Sequence, residues 1–139
     1  MRILACMLVA ALWAGQAHAK GDLAVNATDL PALVLGSKES DYAMSVKEYA
    51  LETGQAYSLK ISAMGFKKYA LVAPDFYRNI WVRKIEAGDV TIDAPVLDGF
   101  VFEEEGEVEL FFVPIRPGKY EFKVRGLEEK GMVGQFVVK

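Results

Sequence analysis

Near the C-terminus, Gly118-Lys-Tyr-Glu-Phe-Lys-Val-Arg125 alternates without a slip. Tyr120, Phe122 and Val124 face one way, and Lys119, Glu121, Lys123 and Arg125 the other. Successive side chains of an extended chain point to opposite faces, so this period requires a strand with one face on a core and the other in water. Gln55–Ser62 repeats the pattern, with Tyr57, Leu59 and Ile61 set against Ser58, Lys60 and Ser62. Tyr69–Ala73 is a short apolar run closed by Pro74, and Asp41–Leu51 alternates with a slip near Lys47-Glu48, as a bulged strand does. Residues 20–32 form a lead-in or a short first edge strand. Asp89–Asp93, Phe100–Phe102, Glu107–Pro114 and Gln135–Lys139 complete the set, with turns at Gly106 and Arg116-Pro117-Gly118. Roughly seven short strands with turns every 8–12 residues or so predict an all-β, antiparallel Greek-key sandwich. One segment departs from the pattern. In Asp75–Ala87, Phe76 and Ile80 lie four apart, as do Tyr77, Trp81 and Ile85, between Pro74-Asp75 and Gly88. That spacing predicts one short inserted amphipathic helix.

The N-terminus has a different purpose. Residues 1–19 carry a single charge (Arg2), then an apolar run ending in Ala17-His18-Ala19. This reads as a cleaved secretory signal, too short for a comfortable membrane span, which leaves residues 20–139 as one exported, periplasmic domain. Cleavage would remove the only cysteine, Cys6, and the only histidine, His18. The remaining chain then has no disulfide, no thiol nucleophile and no imidazole base or ligand, so triad and His-ligated metal chemistry are excluded within it. Without Arg2, 15 basic residues oppose 19 acidic ones, a formal charge of −4, and the basic residues are scattered. Nucleic acid is therefore a poor partner, and no second apolar run is long enough for membrane insertion.

From Gly118 onward the chain resembles the closing strands of a plastocyanin- or azurin-type cupredoxin. Gly118-x-Tyr120-x-Phe122 matches the penultimate strand, and Gly131-Met132-Val133-Gly134 opens the last. Upstream, Gly65-Phe66-Lys67-Lys68 sits where that family has Gly-Phe-x-His. The resemblance implies an eight-stranded Greek-key sandwich with a copper site at one end, built from one Cys, two His and a long axial Met. Carried over position by position, the thiolate slot is Val124, the imidazole slots are Leu127 and Lys68, and the axial slot is Met132. Only the weakest ligand of the set survives, so no cofactor is expected, and Val124 is expected to fill the space of the metal.

Other residues offer alternatives. Met44, Met64 and Met132 are soft thioethers that suit Cu(I), although methionine more often fills irregular core gaps. Glu103, Glu104, Glu105 and Glu107, with Asp98, make an acidic turn that fits a hard cation or, more simply, a solvated edge. Phe76, Tyr77, Arg78 and Trp81, with Ile85, Arg83 and Lys84, form an aromatic and basic cluster of the kind protein interfaces favour, or else a helix packed over an open sandwich end. Leu127 and Val133 add an apolar surface at the metal end, where copper-carrying relatives meet their partners. The expected function is a non-enzymatic accessory module docking on a periplasmic or envelope protein. The alternative is a copper-handling protein using methionine, or one related to electron transfer.

Overall fold

The computed structural model describes residues 26–88, 90–92 and 96–139. The signal segment, Cys6 and His18 lie outside the described residues, as do Asp89 and Asp93. Two sheets face each other. The first contains β1 (Thr28–Asp29), β2 (Leu33–Leu35), β4 (Tyr57–Ala63), β6 (Ile80–Ala87), β7 (Val90–Ile92) and β9 (Gly106–Pro114). The second runs in the order β3 (Glu48–Leu51), β11 (Val133–Val138), β10 (Gly118–Val124), β5 (Tyr69–Val72) and β8 (Gly99–Phe102). The sandwich is the expected one, and most strand pairs are antiparallel. Three marginal pairs are parallel: β1 and β2 against β4, and β3 against β11. The expected lead-in strand is thus two short pieces. The slipped segment Asp41–Leu51 resolves into a lone bridge from Met44 to Leu35 followed by β3.

The alternating strands behave as their period requires. Tyr120, Phe122 and Val124 of β10 are buried, as are Tyr57, Leu59, Ile61 and Ala63 of β4. Together with Leu110 and Phe112 of β9 and Phe136 of β11, they form one core between the sheets. Burying each such side chain contributes about 1.5–3 kcal/mol. Ser58, on the polar face of β4, is also buried, and its hydroxyl donates to Asp29 Oδ1 at 2.7 Å.

The segment expected to be helical from Asp75 to Ala87 is mostly strand. Only Pro74–Tyr77 is helical (α1), and β6 begins at Ile80. The cause is a bulge. Val82 pairs with Phe112 and Lys84 with Phe111, which leaves Arg83 as the extra residue. A bulge resets the alternation of a strand. Ile80 and Ile85, five apart, therefore both reach the core, and a bulged strand of this kind mimics helical spacing in sequence.

Strand direction separates the two ends of the sandwich. β5 enters at Tyr69, opposite Phe102, and leaves at Val72 into α1. β10 runs the other way, so Val124 lies beside Leu71, whereas Tyr120, near its start, meets the ring of Phe76 in α1 at 5.8 Å. Four residues of strand, about 13 Å, separate these levels. The β4–β5, β8–β9 and β10–β11 connections lie at one end, and α1 with the start of β6 at the other.

Candidate functional site

Two glycines shape the loop end. Tyr69 at the start of β5 is fully buried, and its hydroxyl donates to the Asp41 carbonyl oxygen at 2.9 Å. A Cβ on Gly65 would lie 1.9 Å from that hydroxyl, and one on Gly36, where φ is 72°, would lie 2.2 Å away. Only glycine lets the two loops close over the phenol. Asp41 completes the clasp, its Oδ1 accepting from the Phe66 N–H at 2.9 Å. The Tyr69 phenol is pushed above its ordinary pKa, first by burial and then by the Asp41 carboxylate. The loop that this clasp holds presents Phe66 to solvent with 82% of its surface exposed, next to Met64 at 43%. Tyr42, also exposed, has Lys67 Nζ at 5.7 Å and Lys130 Nζ at 5.5 Å from its ring centre, both within cation–π range.

The β10–β11 connection brings three of the four expected metal slots together. The Val124 N–H donates to the Met132 carbonyl at 3.0 Å, the Leu127 N–H to the Val124 carbonyl at 3.0 Å, and the Met132 N–H to the Leu127 carbonyl at 3.3 Å. A 3-10 turn over Glu128–Lys130 ends at Gly131, in the left-handed conformation with φ 82°, and returns the chain to β11. Val124 and Met132 are fully buried, while Leu127 is half-buried against the core. The side chains of Val124 and Leu127 carry no atom that can bind a metal. At the fourth slot, Lys68 is exposed and forms an ion pair with Glu103. These residues do not fit a type-1 copper ion.

The remaining sequence candidates are dispersed. Met44 is half-buried opposite Leu35, whose carbonyl oxygen also accepts from the Met64 N–H at 2.9 Å, so Met44 and Met64 flank one strand while Met132 sits inside the core. Glu103, Glu104 and Glu105 line a cleft of about 340 Å³ with Gly65, Phe66 and Lys67. No three His, Cys, Asp or Glu side chains gather into a metal-binding group among the described residues.

The aromatic cluster expected around α1 is divided. Phe76 is fully buried, stacked on Phe136 at 3.8 Å and edge-on to Phe112 at 5.4 Å. Tyr77 is buried beside Phe100, with its phenol pKa raised by burial and by nearby Asp98. Neither side chain offers a docking surface: α1 plugs the sandwich, because an open end would leave the rings of both sheets in water. Arg78 is exposed and paired with Asp75, and Trp81 is exposed on β6 rather than on a helix. Both lie at the opposite end from Leu127 and Val133, so the expected docking residues do not form one surface. The exposed aromatics of the loop end, Tyr42 and Phe66, were not among them. Phe66 had a signal: it is an aromatic between Gly65 and Lys67-Lys68 with no apolar partner in the strand pattern.

The two sheets and the end-loop arrangement define a cupredoxin-like fold. Solved structures of that class superpose on the chain. Over 83% of its length it is similar to a multicopper oxidase from Campylobacter jejuni, with a TM-score of 0.59 and 10% identity. The same share of the chain matches 98% of an auracyanin from Roseiflexus castenholzii (TM-score 0.52, 14% identity). Auracyanin A, a blue copper protein from Chloroflexus aurantiacus, is matched over its whole length at 13% identity and a TM-score of 0.52. The chain spans only 31% of the multicopper oxidase, against 98% and 100% of the two auracyanins. No protein-family model matches the sequence, and no curated protein matches it.

Proposed function

We propose that this chain is an exported, non-enzymatic accessory module that uses the cupredoxin-like scaffold without type-1 copper and docks on a periplasmic or envelope protein through its loop end. The observation that carries the reading is the exposure of Phe66 and Met64 on a loop whose backbone is fixed by Asp41 and Tyr69. A large apolar side chain held rigidly in water loses little conformational freedom on binding, which suits a docking anchor. Tyr42, with Lys67 and Lys130 over its ring, supplies a polar rim. Leu127, in the β10–β11 connection, and Val133, at the start of β11, lie at the same end of the sandwich. The residues around α1 take no part. Export rests on the signal-like residues 1–19, and the absence of catalysis on a chain with neither thiol nor imidazole after cleavage.

Site-specific photocrosslinking in envelope extract tests the reading. A crosslinker at Phe66 is expected to capture one discrete partner, and a crosslinker at Trp81 is not. Phe66→Ala is expected to weaken that complex at least about 10-fold, as loss of a hot-spot aromatic does, with no loss of folding. Equal capture from both positions would remove the loop end as the docking surface. Titration with Cu(I) and Cu(II) addresses the copper-handling alternative: micromolar binding lost in Met64→Ala or Met132→Ala would establish it instead.

A further inference from the structure

Apart from the loop end, β8 forms a margin of the second sheet. Its sequence, Gly99-Phe100-Val101-Phe102, contains no charge and no proline. Among the described residues it pairs only with β5, from Tyr69↔Phe102 to Val72↔Gly99. In an antiparallel pair, alternate residues direct their N–H and C=O groups away from the partner strand. Half of the β8 backbone groups therefore point outward along the margin. The strand is also firmly seated, because Phe102 is buried and Phe100 meets the Tyr77 ring edge-on at 6.3 Å. Val101 faces solvent at 57% exposure, and Val96, just upstream, at 80%.

Edge strands are ordinarily blunted by charge. The opposite margin of the same sheet follows that rule: Lys47 precedes β3, and Glu48 lies within it and accepts from the Gln135 side chain. β8 has its charges only at its ends, and they share one sign. Asp98 is exposed at one end; Glu103, Glu104 and Glu105 follow at the other, with Lys68 pairing only Glu103. A second copy pairing antiparallel with β8 would set the Asp98 end of one strand against the glutamate end of the other, and opposed like charges destabilise a strand pair. The margin thus disfavours itself and favours an occupant that is apolar at its centre and basic at both ends.

We infer that β8 is a strand-addition site that takes an extended segment of another protein, with β-branched residues at its centre and Lys or Arg at both flanks. Backbone hydrogen bonds along β8 would hold the segment, Val101 and Val96 would meet its apolar residues, and Asp98 with Glu104 and Glu105 would fix its ends. The glutamate end of β8 borders the Phe66 loop across the cleft that Glu103, Glu104 and Glu105 share with Phe66, and its Asp98 end lies away from it. Strand addition rests on the margin of β8 and does not depend on docking through Phe66.

Three synthetic peptides test it against the folded chain: Lys-Thr-Val-Thr-Val-Lys, the same centre with Glu at both ends, and Lys-Thr-Val-Pro-Val-Lys. The first is expected to bind at least about 10-fold more tightly than either control and more weakly as salt rises, since exposed charge pairs are screened. Amide shifts in NMR spectra are expected to concentrate on residues 96–103. Val101→Pro, or Val101→Lys should the proline variant not fold, is expected to abolish binding, while Trp81→Ala, exposed on the other sheet, leaves it unchanged. Equal binding of the lysine and proline peptides would reduce the effect to charge attraction and overturn strand addition. So would the absence of binding by the first peptide at millimolar concentration. A dimer in sedimentation that Val101→Lys dissociates would make the occupant a second copy and overturn the inference equally.

Discussion

Val124 occupies a fully buried position within the backbone bonds of the β10–β11 connection, beside fully buried Met132. Where the resemblance calls for a sulfur that binds metal, the chain places hydrocarbon, and the strand ends are joined by apolar contact. Val124→Ala removes two buried carbons and leaves a cavity, so unfolding free energy is expected to fall by about 2 kcal/mol, read from urea titration. The buried tyrosines set a different limit. Burial raises the phenol pKa of Tyr49 and of Tyr77. A phenol is neutral when protonated, so its burial is harmless below its unfolded pKa of about 10. Above that value the unfolded chain releases the proton first, and the stability held by these two groups is lost as pH climbs toward their raised folded values. Stability is therefore expected to be unaffected by these two tyrosines from neutral pH to about 9 and to fall steeply above about 10. Tyr49→Phe should flatten that alkaline fall. It should also cost about 1 kcal/mol at pH 7, because the Tyr49 hydroxyl donates to the Pro31 carbonyl at 2.9 Å. An unchanged alkaline limb in that variant would remove Tyr49 as a cause.

At the scale of elements, α1 is four residues long, and its worth lies in one side chain. Phe76 fills the space between Phe112 of one sheet and Phe136 of the other. Phe76→Ala is expected to cost about 3–5 kcal/mol, among the larger losses a single core substitution gives. Arg78→Ala, which removes only an exposed ion pair with Asp75, should cost under about 1 kcal/mol. Thermal melts of the two variants separate a plug from a solvated helix. This element also marks where sequence reading stops. β4 and β10 were legible because one face meets the core along the whole length and the other is polar and, apart from buried Ser58, open to water, so a period of two survives in the sequence. β6 was not, because the bulge at Arg83 breaks that period and sends both Ile80 and Ile85 to the core, while Phe76 and Tyr77 of the preceding α1 complete a run with helical spacing. The four metal slots could be assigned through the family resemblance, three from the closing strands and Lys68 from the upstream Gly65-Phe66 match. That Val124 and Met132 are interior while Lys68 faces solvent with Glu103 could not, since burial at a loop end depends on the other loops that close over it.

Across the whole molecule, the β-sandwich keeps its two ends apart while joining them through the same strands. β10 carries Tyr120 against α1 at one end and Val124 at the other, with Phe122 between them packed on Tyr49 and Phe136. The described residues include no cysteine, so no disulfide holds either end, and the continuous core alone makes them unfold together. Two consequences follow for paired substitutions. Phe76 meets β10 at Tyr120, four strand residues or about 13 Å from Val124. The costs of Phe76→Ala and Val124→Ala are therefore expected to add to within about 0.5 kcal/mol in the double variant, with both singles still melting in one transition. Phe66→Ala, at the surface of the loop end, is expected to shift the melting temperature little in any of these backgrounds, because its ring contributes no buried core. A double variant whose loss departs from the sum by more than about 1 kcal/mol would show that the ends are coupled through β10. A helix end able to reshape the loop end would then return Arg78 and Trp81 to the docking problem as distant modulators rather than contacts.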